Sequence, residues 1–362
     1  MLAVTLIPLI VLLVAAAAGI GWYYSNEILT VTHTEDPFDV DIVDVRDGVV
    51  VLAGENVNHP QITGLEWEGG YARLLGGAEA TTGGVLREFE PFPDTPEPGT
   101  AGRLDFYAAP DDLAGLSGLG AQDVTFEAPL GALAATYVPG DHDRWVILVH
   151  GRGASRAETY RLLPQIAGLG HPSLAISYRN DVGAPQDPDG WWGLGWTESD
   201  DLEAAVDYAL ANGAEDVVLV GYSMGGAIVG NYLRTDGDEH VAGVIYDSPL
   251  LSWTDTINVE AADRGLPSVL TSLASAAIRV RAGIDLGELD QVENADRLTV
   301  PTLLIHGSGD ETVPVTSSDE FAQARPDLVT YLRLDGAAHV QGWNSHRSLY
   351  EEAVDTFLAS LG

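Results

Sequence analysis

The chain has no cysteine and no lysine in 362 residues, and only 2 methionines. Without cysteine there is no disulfide framework, no thiolate metal ligand and no thiol nucleophile. The redox compartment stays open. Without lysine, all 17 basic side chains are arginines, set against 54 Asp and Glu for a formal net charge of −37. A surface this negative repels polyanions, so no nucleic-acid partner is expected. A high-GC genome and adaptation to salt both fit such a bias. Hydrophobic residues, at 46%, are ample for a core and exclude wholesale disorder.

The N-terminus is a different material. Residues 2–24 carry no charged side chain, and 6–18 are almost wholly aliphatic. At helical rise that length can span a bilayer core, with Trp22, Tyr23 and Tyr24 as an aromatic belt at the headgroups. The alanines at 15–18 would suit a cleavable signal peptide, but no arginine precedes the run and it is long for such a segment. Residues 1–26 are therefore expected to be an uncleaved transmembrane anchor that holds the rest of the chain at a membrane, outside the cytoplasm. The nearest arginine is Arg46, so the positive-inside rule has little to count.

Residues 27–124 read as a small β-rich region, with short strands at 40–45, 48–53 and 64–75 and loops at 88–100 and 111–120. From 125 to 362 the texture changes. Strands at 144–150, 172–178, 216–222, 241–246, 302–306 and 330–334 alternate with helices at 154–168, 198–211, 224–234 and 345–361. Thr197 is the expected N-cap of the second of these helices. Near-continuous apolar strands separated by helices predict a mostly parallel α/β sheet with helices on both faces. The stretch of about 250–298 breaks the rhythm and reads as a short helical cap.

Gly221-Tyr222-Ser223-Met224-Gly225 is a G-x-S-x-G, a weak pattern by itself in a chain with 41 glycines. Its context is specific: residues 216–220 form an apolar strand and 226–233 a helical run. A serine on that sharp turn exposes its hydroxyl at the edge of the sheet, with Gly221 and Gly225 relieving the crowding. Acyl chemistry also needs two backbone donors for the developing oxyanion. The N–H groups of Met224 and of Arg152, in the loop His150-Gly151-Arg152-Gly153, are the candidates. The Arg152 side chain could hold an anionic substrate group or stand solvated. Asp310 and then His339 follow Ser223 in loops after later strands, giving the order Ser, Asp, His. Asp247, ending the 241–246 strand, competes with Asp310 as the acid. His150 is expected to order its loop. Trp192 and Trp343 are candidate walls of a substrate pocket, with core packing as the alternative.

On these residues, 125–361 resembles the α/β-hydrolase superfamily in its serine-aminopeptidase-like branch. Gly221 to Gly226 match its nucleophile elbow, His150-Gly151 its oxyanion loop, residues 300–314 with Asp310 its acid-bearing segment, and Ala338-His339 its base. The resemblance implies a serine hydrolase with no cofactor or metal, acting on a small-molecule or lipid acyl ester. Amide and thioester hydrolysis on the same triad are the alternatives, as is a non-catalytic binding protein that keeps the fold.

Overall fold

The computed structural model describes every residue except 1, 35, 93 and 236–238, and every side chain except those of 2–11, 13 and 114 as well. A long helix, α1 (Leu2–Leu29), leads into two sheets. The first consists of β1 (Val40–Arg46), β2 (Val49–Ala53), β3 (Thr63–Trp67), β4 (Gly70–Leu74), β5 (Glu79–Thr81), β6 (Gly84–Phe92) and β7 (Ala101–Asp105). All its pairings are antiparallel, in the order β2-β1-β7-β3-β4-β6-β5, and an added β2–β6 pairing closes it on itself. Alternate residues such as Val40, Ile42, Val50, Leu52, Leu65 and Leu74 fill the interior. The expected loop at 88–100 is partly strand, because β6 runs on to Phe92.

The second sheet holds β8 (Gln122–Ala128), β9 (Gly131–Val138), β10 (Arg144–Val149), β11 (Ser173–Ile176), β12 (Asp216–Tyr222), β13 (Val241–Asp247), β14 (Thr302–Gly307) and β15 (Val329–Leu334). Its order is β15-β14-β13-β12-β10-β11-β9-β8, parallel throughout except for the antiparallel β9 and β8. β8 starts before the expected boundary at 125. The helices are α2 (Ala157–Tyr160), α3 (Leu163–Gly168), α4 (Glu198–Ala211), α5 (Met224–Thr235), α6 (Trp253–Asp263), α7 (Ser268–Ala282), α8 (Val315–Ala324) and α9 (Gly342–Ser360).

Successive strand residues serve opposite cores. Ile147, Val149, Leu219 and Val244 pack with α4 and α5, while Val146, Leu148, Val220 and Ile305 pack with α3 and α9. That two-sided burial is why the strands read as unbroken apolar runs. The helix expected over 154–168 is split in two, with Pro164 at the start of α3. α9 begins earlier than expected, through a kink at His346. Thr197 makes no capping bond, and its hydroxyl is buried without a partner.

The structure lends the expected N-terminal anchor no support. Among the described residues no helix is long and apolar enough to cross a membrane. Much of the run behind the anchor expectation, residues 2–11 and 13, lies outside the described side chains. The C-terminal half of α1 belongs to the folded body instead. Ser25 and Leu29 are fully buried, and Gly21 packs so closely on α7 that a Cβ there would sit 2.6 Å from the Leu273 carbonyl oxygen. Arg281 of α7 holds the joint: it lies 3.9 Å from the Trp22 ring and donates to Ser25 Oγ at 2.5 Å and Asn26 Oδ1 at 2.7 Å.

Candidate active site

The chain reverses its direction across the sheet at β10, which has β11 on one side and β12 on the other. In open α/β sheets the crevice at such a point, at the C-terminal strand ends, is where ligands bind. Ser223 sits there, between β12 and α5, with φ +49°, a left-handed conformation unusual for a residue with a side chain. The close approach needs glycine on both sides: a Cβ on Gly225 would lie 2.2 Å from the Val149 carbonyl oxygen, and one on Gly221 2.8 Å from Gly225.

Three loops converge on the hydroxyl. His339 Nε2 lies 2.9 Å from Ser223 Oγ, and His339 Nδ1 lies 2.7 Å from Asp310 Oδ2. Asp310 is fastened on every side, its Oδ1 accepting from the Thr312 and Val313 N–H groups at 2.8 Å each. Its Oδ2 also meets His306 Nε2 at 3.0 Å, and the far nitrogen of His306 meets Ser318 Oγ at 2.7 Å. Burial opposes ionisation of Asp310, but the hydrogen bonds from His306 and His339 and the adjacent charge outweigh it and hold the carboxyl well below the usual range. No single sequence signal distinguishes His306 from a core histidine; only its spacing of four from Asp310, across a strand end, points to this contact.

The rival acid faces elsewhere. Asp247 is buried, accepts from Tyr350 Oη at 3.1 Å and Ser248 Oγ at 3.2 Å, and lies 3.9 Å from the Arg161 guanidinium. Burial raises its pKa, against the pull of Arg161.

The loop after β10 is pinned by its neighbours. The Gly151 N–H donates to Glu158 Oε2 at 2.6 Å, and the Gly151 carbonyl accepts from Tyr178 Oη at 2.8 Å. His150 stacks on Tyr178 at 4.4 Å and meets Asp181 at 2.8 Å, so it orders the loop. Neither the Arg152 nor the Met224 N–H donates to a protein acceptor among the described residues. The Arg152 guanidinium is engaged, donating to the Ile28 carbonyl at 2.8 Å at the end of α1. Both candidate pocket tryptophans turn out to be core. Trp343 is buried in the first turn of α9 with its Nε1–H on Glu351, and Trp192 is buried with its backbone N–H on the Leu29 carbonyl. Position next to a motif could not reveal this, because an aromatic packed in a core and one lining a pocket read alike.

Residues 144–289 match the family model described as the alpha/beta hydrolase fold. The chain has that fold. The esterase Pf2001 of Pyrococcus furiosus superposes with a TM-score of 0.57 at 20% identity, covering 70% of this chain and 96% of that one. A thermophilic esterase from Thermogutta terrifontis superposes with a TM-score of 0.50 at 19% identity, over 66% and 99% of the two chains. An uncharacterized Bacillus subtilis protein, YqkD, is 24% identical over 229 residues, 62% of this chain and 73% of its own length. Within this alpha/beta hydrolase fold, the 250–298 stretch expected to be a cap holds two helices, α6 and α7.

Proposed function

We propose that the protein is a serine carboxylester hydrolase acting through an acyl-enzyme. The observation that carries this reading is the connected line Ser223 Oγ, His339 and Asp310, at 2.9 and 2.7 Å, on a strained turn at the sheet's switch point. His339 takes the Ser223 proton as the oxygen attacks the ester carbonyl. Asp310 fixes the tautomer that leaves Nε2 free to accept and stabilises the imidazolium that forms. The Arg152 and Met224 N–H groups receive the oxyanion, Met224 at the N-terminus of α5 where the helix dipole adds to the effect. His339 then protonates the departing alcohol, and water, deprotonated by the same histidine, releases the acid. None of these steps calls on a metal or cofactor.

The solved esterases that share the fold are consistent with this reading. The test is labelling by an active-site fluorophosphonate beside turnover of acyl esters of graded length and of aminoacyl amides. Labelling of the natural chain but not of Ser223→Ala, with esters turned over faster than amides, is the expected result. A chain that neither takes the label nor turns over any acyl compound would instead be a binding protein on the same fold.

A further inference from the structure

The proposed mechanism leaves one buried titratable group beside the triad without a task. His306, next to last in β14, is fully buried and bonded at both ring nitrogens. Its Nε2 lies 3.0 Å from Asp310 Oδ2, and its Nδ1 lies 2.7 Å from the hydroxyl of Ser318, itself buried on α8. Asp310 Oδ2 also meets His339 Nδ1 at 2.7 Å, so two imidazoles share one carboxylate oxygen. An ionised carboxylate only accepts, so His306 must carry a proton on Nε2 to bond it. The Ser318 hydroxyl favours that form by donating to Nδ1.

We propose that His306, with Ser318 behind it, is a positioning residue that aims Asp310 Oδ2 at His339. It touches neither the substrate nor the reacting atoms and acts only through Asp310. The inference rests on the serine-hydrolase reading. The Thr312 and Val313 N–H groups hold Oδ1, and His306 is the second point, which fixes the plane of the carboxyl group. A carboxylate held at both ends needs no reorganisation when the imidazolium forms. Sharing Oδ2 draws some charge away from His339. Fixed geometry outweighs that loss, because misplacing a reacting group by about 1 Å can cost on the order of 10²-fold in rate.

The experiment measures kcat and KM for 4-nitrophenyl butyrate on the full chain and on His306→Leu, His306→Gln and Ser318→Ala. Circular dichroism checks that each folds. His306→Leu should lower kcat about ten- to a hundredfold and leave KM unchanged, as a misaimed base implies. His306→Gln should recover most of the loss, because its amide N–H can stand where Nε2–H stood. Ser318→Ala frees the tautomer and should lower kcat less than His306→Leu does. In an Asp310→Asn background His306→Leu should cost nothing further, since its route to the base is already cut. A full additional loss there, or normal kcat in folded His306→Leu, overturns the proposal. If His306→Leu does not fold, normal kcat in Ser318→Ala overturns it. The low-field proton resonance of the His339–Asp310 hydrogen bond is a readout that needs no turnover, and it should shift in His306→Leu and Ser318→Ala. That shift in a chain that hydrolyses no ester supports the positioning role and removes the ester reading alone. An unmoved resonance in a chain that does hydrolyse esters removes the positioning role alone.

Discussion

The two sides of the reaction centre are built in opposite ways. On the triad side, Ser223, Asp310 and His339 each sit within a short loop after a strand of one rigid parallel sheet, and Asp310 is held by backbone N–H groups two and three residues ahead. On the cap side, α1, α6 and α7 meet through partners far apart in sequence, such as Arg281 with Ser25 and Arg152 with Ile28. The chemistry is specified locally, and the enclosure by long-range packing. Residues in a rigid, locally tied region resist displacement, whereas an element held by a few long-range contacts can open alone. The comparison can be broken or sharpened at several points.

The largest effect is expected within the triad. Asp310→Asn should leave the fold intact and lower kcat by up to about 10⁴-fold, because the amide favours the wrong His339 tautomer. Asp247→Asn should keep near-normal turnover. It should cost about 1–3 kcal/mol of stability, since the buried Arg161 at 3.9 Å would lose its nearest carboxylate. Steady-state kinetics and chemical denaturation of both variants check this. A dead Asp247→Asn with an active Asp310→Asn would move the acid to the neighbouring strand.

The same division explains what could be read in advance. Alternation of apolar strands and helices, the elbow around Ser223 and the order of Asp310 and His339 are local or serial patterns, and they are where the structure places them. The β2–β6 closure of the first sheet leaves no local trace, because Val49 pairs with Glu88 across three intervening strands. Trp192 and Trp343 looked like pocket walls because nothing in a sequence tells which way a ring points. The end of α1 read as part of a membrane anchor, and hydropathy gives no sign that residues 21–29 pack against α7. Its specific marker is Gly21, whose missing Cβ allows the close contact, and that role is visible only once the partner helix is known.

A smaller, pH-dependent effect tests the loop that supports α1. Glu198 is fully buried at the start of α4 and accepts from the Gly193 and Gly195 N–H groups at 2.7 and 2.9 Å. Burial raises its pKa from 4.5 to about 7, against the pull of those bonds. The folded state then holds a proton that the unfolded chain has released, so stability falls as pH rises from 4.5 and levels off above about 7. The interval corresponds to roughly 3 kcal/mol at most. Thermal melts from pH 5 to 8 should show this decline, and Glu198→Gln should flatten it. An equal slope in the variant would assign the pH dependence to other carboxylates.

The smallest effect is expected at Arg281, and it bears directly on whether the two sides open separately. The guanidinium lies 3.9 Å from the Trp22 ring and 4.9 Å from the Trp191 ring, with side-chain bonds to Ser25 and Asn26. Arg281→Ala removes about 1–2 kcal/mol of local contact, from partly exposed cation–π stacking and three hydrogen bonds, to Ser25, Asn26 and the Trp22 carbonyl. Arg281→Lys should recover little of it, since an ammonium cannot stack flat between rings while reaching both oxygens. If α1 is held by its own contacts, amide hydrogen exchange over residues 21–29 should accelerate about five- to thirtyfold in Arg281→Ala, while β12 and β14 keep their protection. Faster exchange spread evenly over β12, β14 and α1 would mean that the helix and the sheet unfold as one cooperative unit, and the division between a rigid triad side and a separately opening cap side would fall.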